Sequence, residues 1–228
     1  MYKPSTDWNP KQKRLREIIR EQPHFTEAMG LCRELHEMAH LNEVFASGRP
    51  TLADAVVSDL EANHYAMMPT PQDVTIAWNV WHIARIEDAT MNLLVADGNQ
   101  ILDRGWMRRL GTDVADTGNA MSDDEIIAFS ESLDIAALWE YRGAVAHRSR
   151  EILDALTPPD LARRFYPEQK ERLTAEGCLT AHPDSIWLAD FWCKKDVVGI
   201  LLLPLTRHQA GHLNDCLKLK KKIMSKRA

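Results

Sequence analysis

The chain has no C-x-x-C pair among its four cysteines, which stand at 32, 178, 193 and 216. Neither a zinc knuckle nor a redox dithiol is therefore indicated. It has no apolar run able to cross a bilayer, since the longest, Val197 to Leu205, falls far short of the ~20 residues a span requires. The opening Met-Tyr-Lys-Pro-Ser-Thr-Asp carries no apolar signal core. A reducing cytoplasm is the expected location. There is no internal repeat, no low-complexity tract, no glycine-rich phosphate loop and no β-hairpin signal. Charge is not lopsided either: a net −5 predicts solubility and argues against a general nucleic-acid binder. No membrane partner is expected.

What is present is helical periodicity. The 228 residues suit one domain with a sizeable core, taken as 1–228. Leu15, Ile18, Phe25, Ala28, Cys32, Leu35 and Ala39 make one apolar stripe within 10–46, which Pro23 kinks or splits. A short helix over Leu52 to Leu60 follows. A second long helix is expected over about 74–97. Ser122 to Glu125 reads as a capping box that starts a third, with Leu138, Tyr141, Val145, Ser149, Ile152 and Leu156 on its stripe. A fourth runs from near Lys194 to about Met224, bent at Pro204. Segment 99–121 reads as loop, and 159–193 as mixed with a short helix. Four long helices predict an all-α four-helix bundle with long irregular connections.

The chemistry concentrates in histidines. His208 and His212, four apart, lie one turn apart on one helix face. His82 sits on the second long helix. Three imidazoles from two helices can hold one divalent transition metal, zinc or nickel first, and leave positions open for water or substrate. Spacing alone equally allows three ordinary, partly buried histidines. Gly211, between the pair, leaves room for a helix or ligand to approach. Asp215 is a candidate outer acceptor for a metal-bound ring, though exposure is the commoner fate of such a residue.

His36-Glu-Met-Ala-His40 fits H-E-x-x-H, with Glu37 as general base and Glu61 as a distant third ligand. The extended motif fails, because Glu43 and Ala46 stand where glycine and histidine belong. Histidines flanking the stripe and hydrogen-bonded inside the bundle explain it better, with a peptidase the third choice. Arg85, Glu87 and Asp88 read as helix-surface charge, and Trp78 and Trp81 as core. Trp187 and Trp192 either line the mouth of a pocket or anchor a loop. Cys32 and Cys216 read as small buried groups, with thiol ligation by Cys216 left open. Lys218, Lys220, Lys221, Lys222, Lys226 and Arg227 suit the negative end of a helix dipole.

Trp78-Asn-Val-Trp-His-Ile-Ala-Arg-Ile-Glu-Asp88, followed by Arg207-His-Gln-Ala-Gly-His-Leu213, resembles the DinB-like superfamily. The order of long helices fits that resemblance along most of the chain. The resemblance implies a bundle whose metal ligands fall on His82, His208 and His212. It also implies a homodimer and a small-molecule substrate. Relatives include bacillithiol S-transferases, a mycothiol-dependent maleylpyruvate isomerase and a domain of ergothioneine synthases. The implied activity is a metal-dependent transferase using a low-molecular-weight thiol, or a hydrolase. A non-catalytic metal- or ligand-binding protein is the alternative. Segments 99–121 and 159–193 depart from the compact family pattern.

Overall fold

A computed structural model describes residues 3–225. Lys226 and Arg227 lie outside the described residues. The helices are α1 (Asn9–Ile18), α2 (Phe25–Ala39), α3 (Asn42–Phe45), α4 (Leu52–Val57), α5 (Ile76–Asp88) and α6 (Arg104–Leu110). They continue with α7 (Asp123–Ser132), α8 (Ile135–Ala155), α9 (Pro167–Ala175), α10 (Pro183–Cys193), α11 (Val197–Leu202) and α12 (His208–Ser225). Among the described residues there is no strand, only an isolated bridge between Arg164 and Asp196. The all-α bundle is the fold, with α2, α5, α8 and α12 as its main rods.

Three of the four expected long helices are broken where local chemistry breaks them. The first is split by a 3-10 turn at Gln22–His24, around Pro23, whose ring cannot continue an α-helix. The third is two helices: the capping box at Ser122 starts α7, and Asp134 caps α8 by accepting from the Ala137 N–H at 2.9 Å. The fourth is interrupted by a π-helical turn, Leu203–Arg207, at Pro204. Carbonyls there find side-chain donors: the Thr206 hydroxyl donates to Leu201 O at 2.9 Å, and Gln209 Nε2 donates to Pro204 O at 3.2 Å. The wider turn resets the phase of α12, which begins at His208.

The bundle is organised around α5. Every residue from Ile76 to Val95 is buried, through α5 and the π-helical Ala89–Val95 that prolongs it. Its main partners are α8 and α12. Arg85, Glu87 and Asp88 are therefore not surface charge, as their sequence context suggested. A helix surrounded on all sides has no solvent face, so its polar residues need internal partners. Arg85 Nη1 donates to Asp88 Oδ2 and to Tyr141 Oη, both at 2.8 Å. Asp88 also accepts the backbone N–H groups of Ile101 and Leu102, at 2.8 and 2.9 Å.

Segment 99–121 is not only loop, since it contains α6. Its second half is a strap along α5. Trp78, Trp81, His82 and Arg85 share one helix face. Their ring and guanidinium N–H groups donate to the carbonyls of Gly118, Asp116, Thr117 and Ala115 at 3.1, 2.9, 2.8 and 2.8 Å. Gly118 closes the strap at φ +74°, where an added Cβ would stand 2.7 Å from Trp78 Nε1. Segment 159–193 is more regular than expected, with a 3-10 turn (Pro158–Ala162), α9 and α10. The basic end of α12 is tied down rather than free. Lys222 Nζ pairs with Asp73 at 2.6 Å, and Lys220 Nζ donates to Ala55 O at 3.0 Å. No helix among the described residues is long and apolar enough to cross a membrane.

Candidate metal centre

The structure brings His82, His208 and His212 together. Their ligand-capable ring nitrogens all lie within 4.8 Å of one another. Ring centroids are 5.2 Å apart for His82 and His208, 4.8 Å for His82 and His212, and 4.5 Å within the α12 pair. His82 comes from α5; the other two come from the first two turns of α12, directly after the π-helical turn.

Two of the rings are oriented by partners the sequence did not reveal. His82 Nδ1 donates to the Thr117 carbonyl at 2.8 Å, which leaves Nε2 with its lone pair. Asn79 Nδ2 donates to Thr75 O at 3.1 Å, so Asn79 Oδ1 is the acceptor for His212 Nδ1 at 2.7 Å. Nε2 of His212 is likewise left free. His208 Nδ1 is buried without a partner. Asp215 plays no such part: it is exposed and bonded to Lys218 Nζ at 2.7 Å. Asn79 lies one turn before His82, a spacing that carries the signal; Thr117 is remote in sequence and carries none. Gly211 is no close approach, because a Cβ there would meet open space.

Burial keeps these rings neutral. Desolvation holds His82 down at about 3, helped by repulsion from His212. His208 is held well below the usual histidine range, and His212 is lowered, both chiefly by burial. Neutral imidazoles with fixed tautomers are the form that binds a metal. The donor set, an orphaned buried nitrogen and the outer hydrogen bonds together fit a divalent transition metal.

The rings open into a cavity of about 420 Å³. Trp78 stacks on His82 with centroids 4.6 Å apart and planes 12° apart, so it belongs to this wall as well as to the core. Trp187, Phe191 and Trp192 of α10 line the mouth, with Arg207 beside His208. Trp187 is 49% exposed and Trp192 1%. The irregular segment before the fourth helix thus borders the pocket. None of the described lining residues carries a carboxylate.

The H-E-x-x-H stretch folds differently from a peptidase site. His36, His40 and Glu87 are fully buried, which leaves no path for a peptide. Glu37 is partly exposed and faces Arg49 and Arg150, each 4.0 Å away. It is not poised over His36 and His40. The peptidase reading falls. The acid beside these histidines is Glu87, not Glu61, which caps the 3-10 turn at Ala62–Ala66. Cys216 is buried and belongs to neither histidine group.

A family model described as the DinB superfamily matches residues 47–181, more than half of the chain. The match includes His82, Asn79 and the strap, and ends before His208 and His212. No curated protein matches the chain.

Proposed function

The chain belongs to the DinB superfamily, and on that premise we propose that it is a metal-dependent enzyme transferring a low-molecular-weight thiol to a small electrophile. His82, His208 and His212 would hold the divalent ion, zinc or nickel first. The observation that carries this reading is the convergence of three neutral imidazoles at the floor of an open pocket. Such an ion, when bound, lowers the pKa of a coordinated thiol or water. Thr117 and Asn79 hold two of the rings in the ligating tautomer. Trp187 and Phe191 offer an apolar wall, and Arg207 can pair with an anionic group of a substrate.

Thiol transfer is favoured over hydrolysis because the pocket wall carries no carboxylate to serve as a general base for water. In the transfer, sulfur forms the new bond to carbon. The leaving group departs with its electron pair, and the thiol proton passes to it or to solvent. The thiol must come from a small molecule. Burial pushes Cys32 up to about 12 and Cys178 and Cys193 to about 11, and raises Cys216 further. None of them is a ready nucleophile.

The same missing base supports a second reading, a non-catalytic binding protein. The deciding experiment screens thiol cofactors against electrophiles with zinc- and nickel-loaded protein. Turnover lost in His208→Ala supports the enzyme, and no turnover with any pair supports the binder. Homodimerisation, implied by the resemblance, is part of this proposal and is read by sedimentation equilibrium.

A further inference from the structure

A second imidazole cluster lies apart from the pocket. His36 and His40 stand one turn apart on α2, with ring centroids 4.5 Å apart. Glu87 reaches them from α5, five residues beyond His82 and so roughly 140° around that helix. The three side chains are 0%, 1% and 0% exposed. Phe45 closes over the two rings, 5.6 and 6.0 Å from their centroids.

The polar accounting of this cluster does not close. His36 Nε2 is hydrogen-bonded to Glu87 Oε1 at 2.7 Å. His40 Nε2 lies 3.3 Å from Glu87 Oε2, yet neither atom has a hydrogen-bond partner. His36 Nδ1 and His40 Nδ1 are also unpartnered. A buried acceptor beside a buried donor would be expected to bond, since leaving both unmade forfeits the solvation each gave up. A separation of 3.3 Å without a bond suits two atoms that share a third. It is the edge of a tetrahedron with bonds of about 2.0–2.1 Å, the zinc–nitrogen and zinc–carboxylate length.

The electrostatics set a limit. Arg142 is a buried cation of the same region, and its Nη2 donates to the Ala39 carbonyl at 2.8 Å. Among the described residues, the ion pairs of Glu87 come from His36 and His40. Glu87 Oε2 is therefore free to serve a cation, against repulsion of that cation by the guanidinium.

We propose that His36, His40 and Glu87 form a second, closed binding site for a divalent transition-metal ion, which ties α2 to α5. Two imidazole nitrogens and one oxygen of Glu87 supply three donor atoms, a water enclosed with the ion would complete the tetrahedron, and no opening admits substrate. The site is structural, as closed sites are. It stands independently of the pocket centre.

The test loads zinc during refolding, because a closed site fills as the chain folds. Metal is counted in desalted, EDTA-washed protein by mass spectrometry. The double variant His82→Ala/His208→Ala leaves this cluster intact and should retain one equivalent, released only on unfolding. Adding Glu87→Gln should remove it, and Arg142→Met should tighten it. Refolded with cobalt, the double variant should show ligand-field absorption of a four-coordinate ion. A folded double variant holding no zinc and no cobalt overturns the proposal. So does one equivalent that survives Glu87→Gln. Failure of the pocket centre looks different: wild type and double variant would then bind equal amounts of metal.

Discussion

Two clusters of imidazoles flank the same buried helix, and they differ in what surrounds them. The pocket cluster has three rings, no carboxylate and a way in from solvent. The α2 cluster has two rings, a carboxylate and no way in. On the proposals above, one scaffold separates chemistry from support. Openness leaves coordination positions for an outside molecule, and enclosure with a carboxylate neutralises charge and joins two rods. Between them α5 spends its whole circumference on burial, and its polar residues are bonded to the strap, to α2 and to α8.

Acid should collapse the metal-free fold first, and both clusters contribute. Burial holds His82 and His40 at about 3, against an ordinary 6.5. Their folded pKa values lie below the unfolded ones, so the unfolded chain takes up protons first. Stability is full above the unfolded value and is lost as pH falls from there towards 3, by up to about 1.4 kcal/mol per pH unit for each group. A urea midpoint that stays flat between about pH 7 and 4 would show that the rings are not buried neutral in either cluster.

Arg85→Met tests the enclosure of α5 between the two clusters. It leaves Asp88 buried beside Tyr141 without its cation and should cost about 3–5 kcal/mol in urea unfolding. A loss under about 1 kcal/mol would mean that the α5 ion pair is not enclosed as described. Asn79→Ala tests the pocket side. It removes the acceptor for His212 Nδ1 and should weaken metal binding about 10–100-fold in competition titrations. Unchanged affinity would remove Asn79 from any role in orienting the ring. Trp187→Ala should do least to stability, about 0.5 kcal/mol or less, because the side chain is half exposed. It should instead weaken ligand binding at the mouth. The reverse, a fall in melting temperature with ligand affinity intact, would make this tryptophan a loop anchor.

The two clusters were unequally legible in the sequence. The His208–His212 pair announces itself by its spacing, and the neighbourhood Trp78–Asp88 marks the other helix. The helical stripes around Leu35 and Leu138 foretold the bundle. The H-E-x-x-H spacing was visible too, but its partner was not. Glu87 lies 51 residues from His36, and within an apparently amphipathic sequence it reads as surface charge. Nothing local says that α5 is enclosed on every side. The strap is hidden for the same reason: it works through backbone carbonyls of residues 115–118, which carry no side-chain signature. The breaks at Leu133 and Pro204 were only half visible. Proline marks one, while the other depends on Asp134 capping a new helix.

The most direct measurement is anomalous diffraction at the zinc edge from crystals of zinc-loaded protein. A peak is expected at about 2.0–2.1 Å from ring nitrogens of His82, His208 and His212 together. Full zinc loading with no peak among those three rings would contradict that expectation.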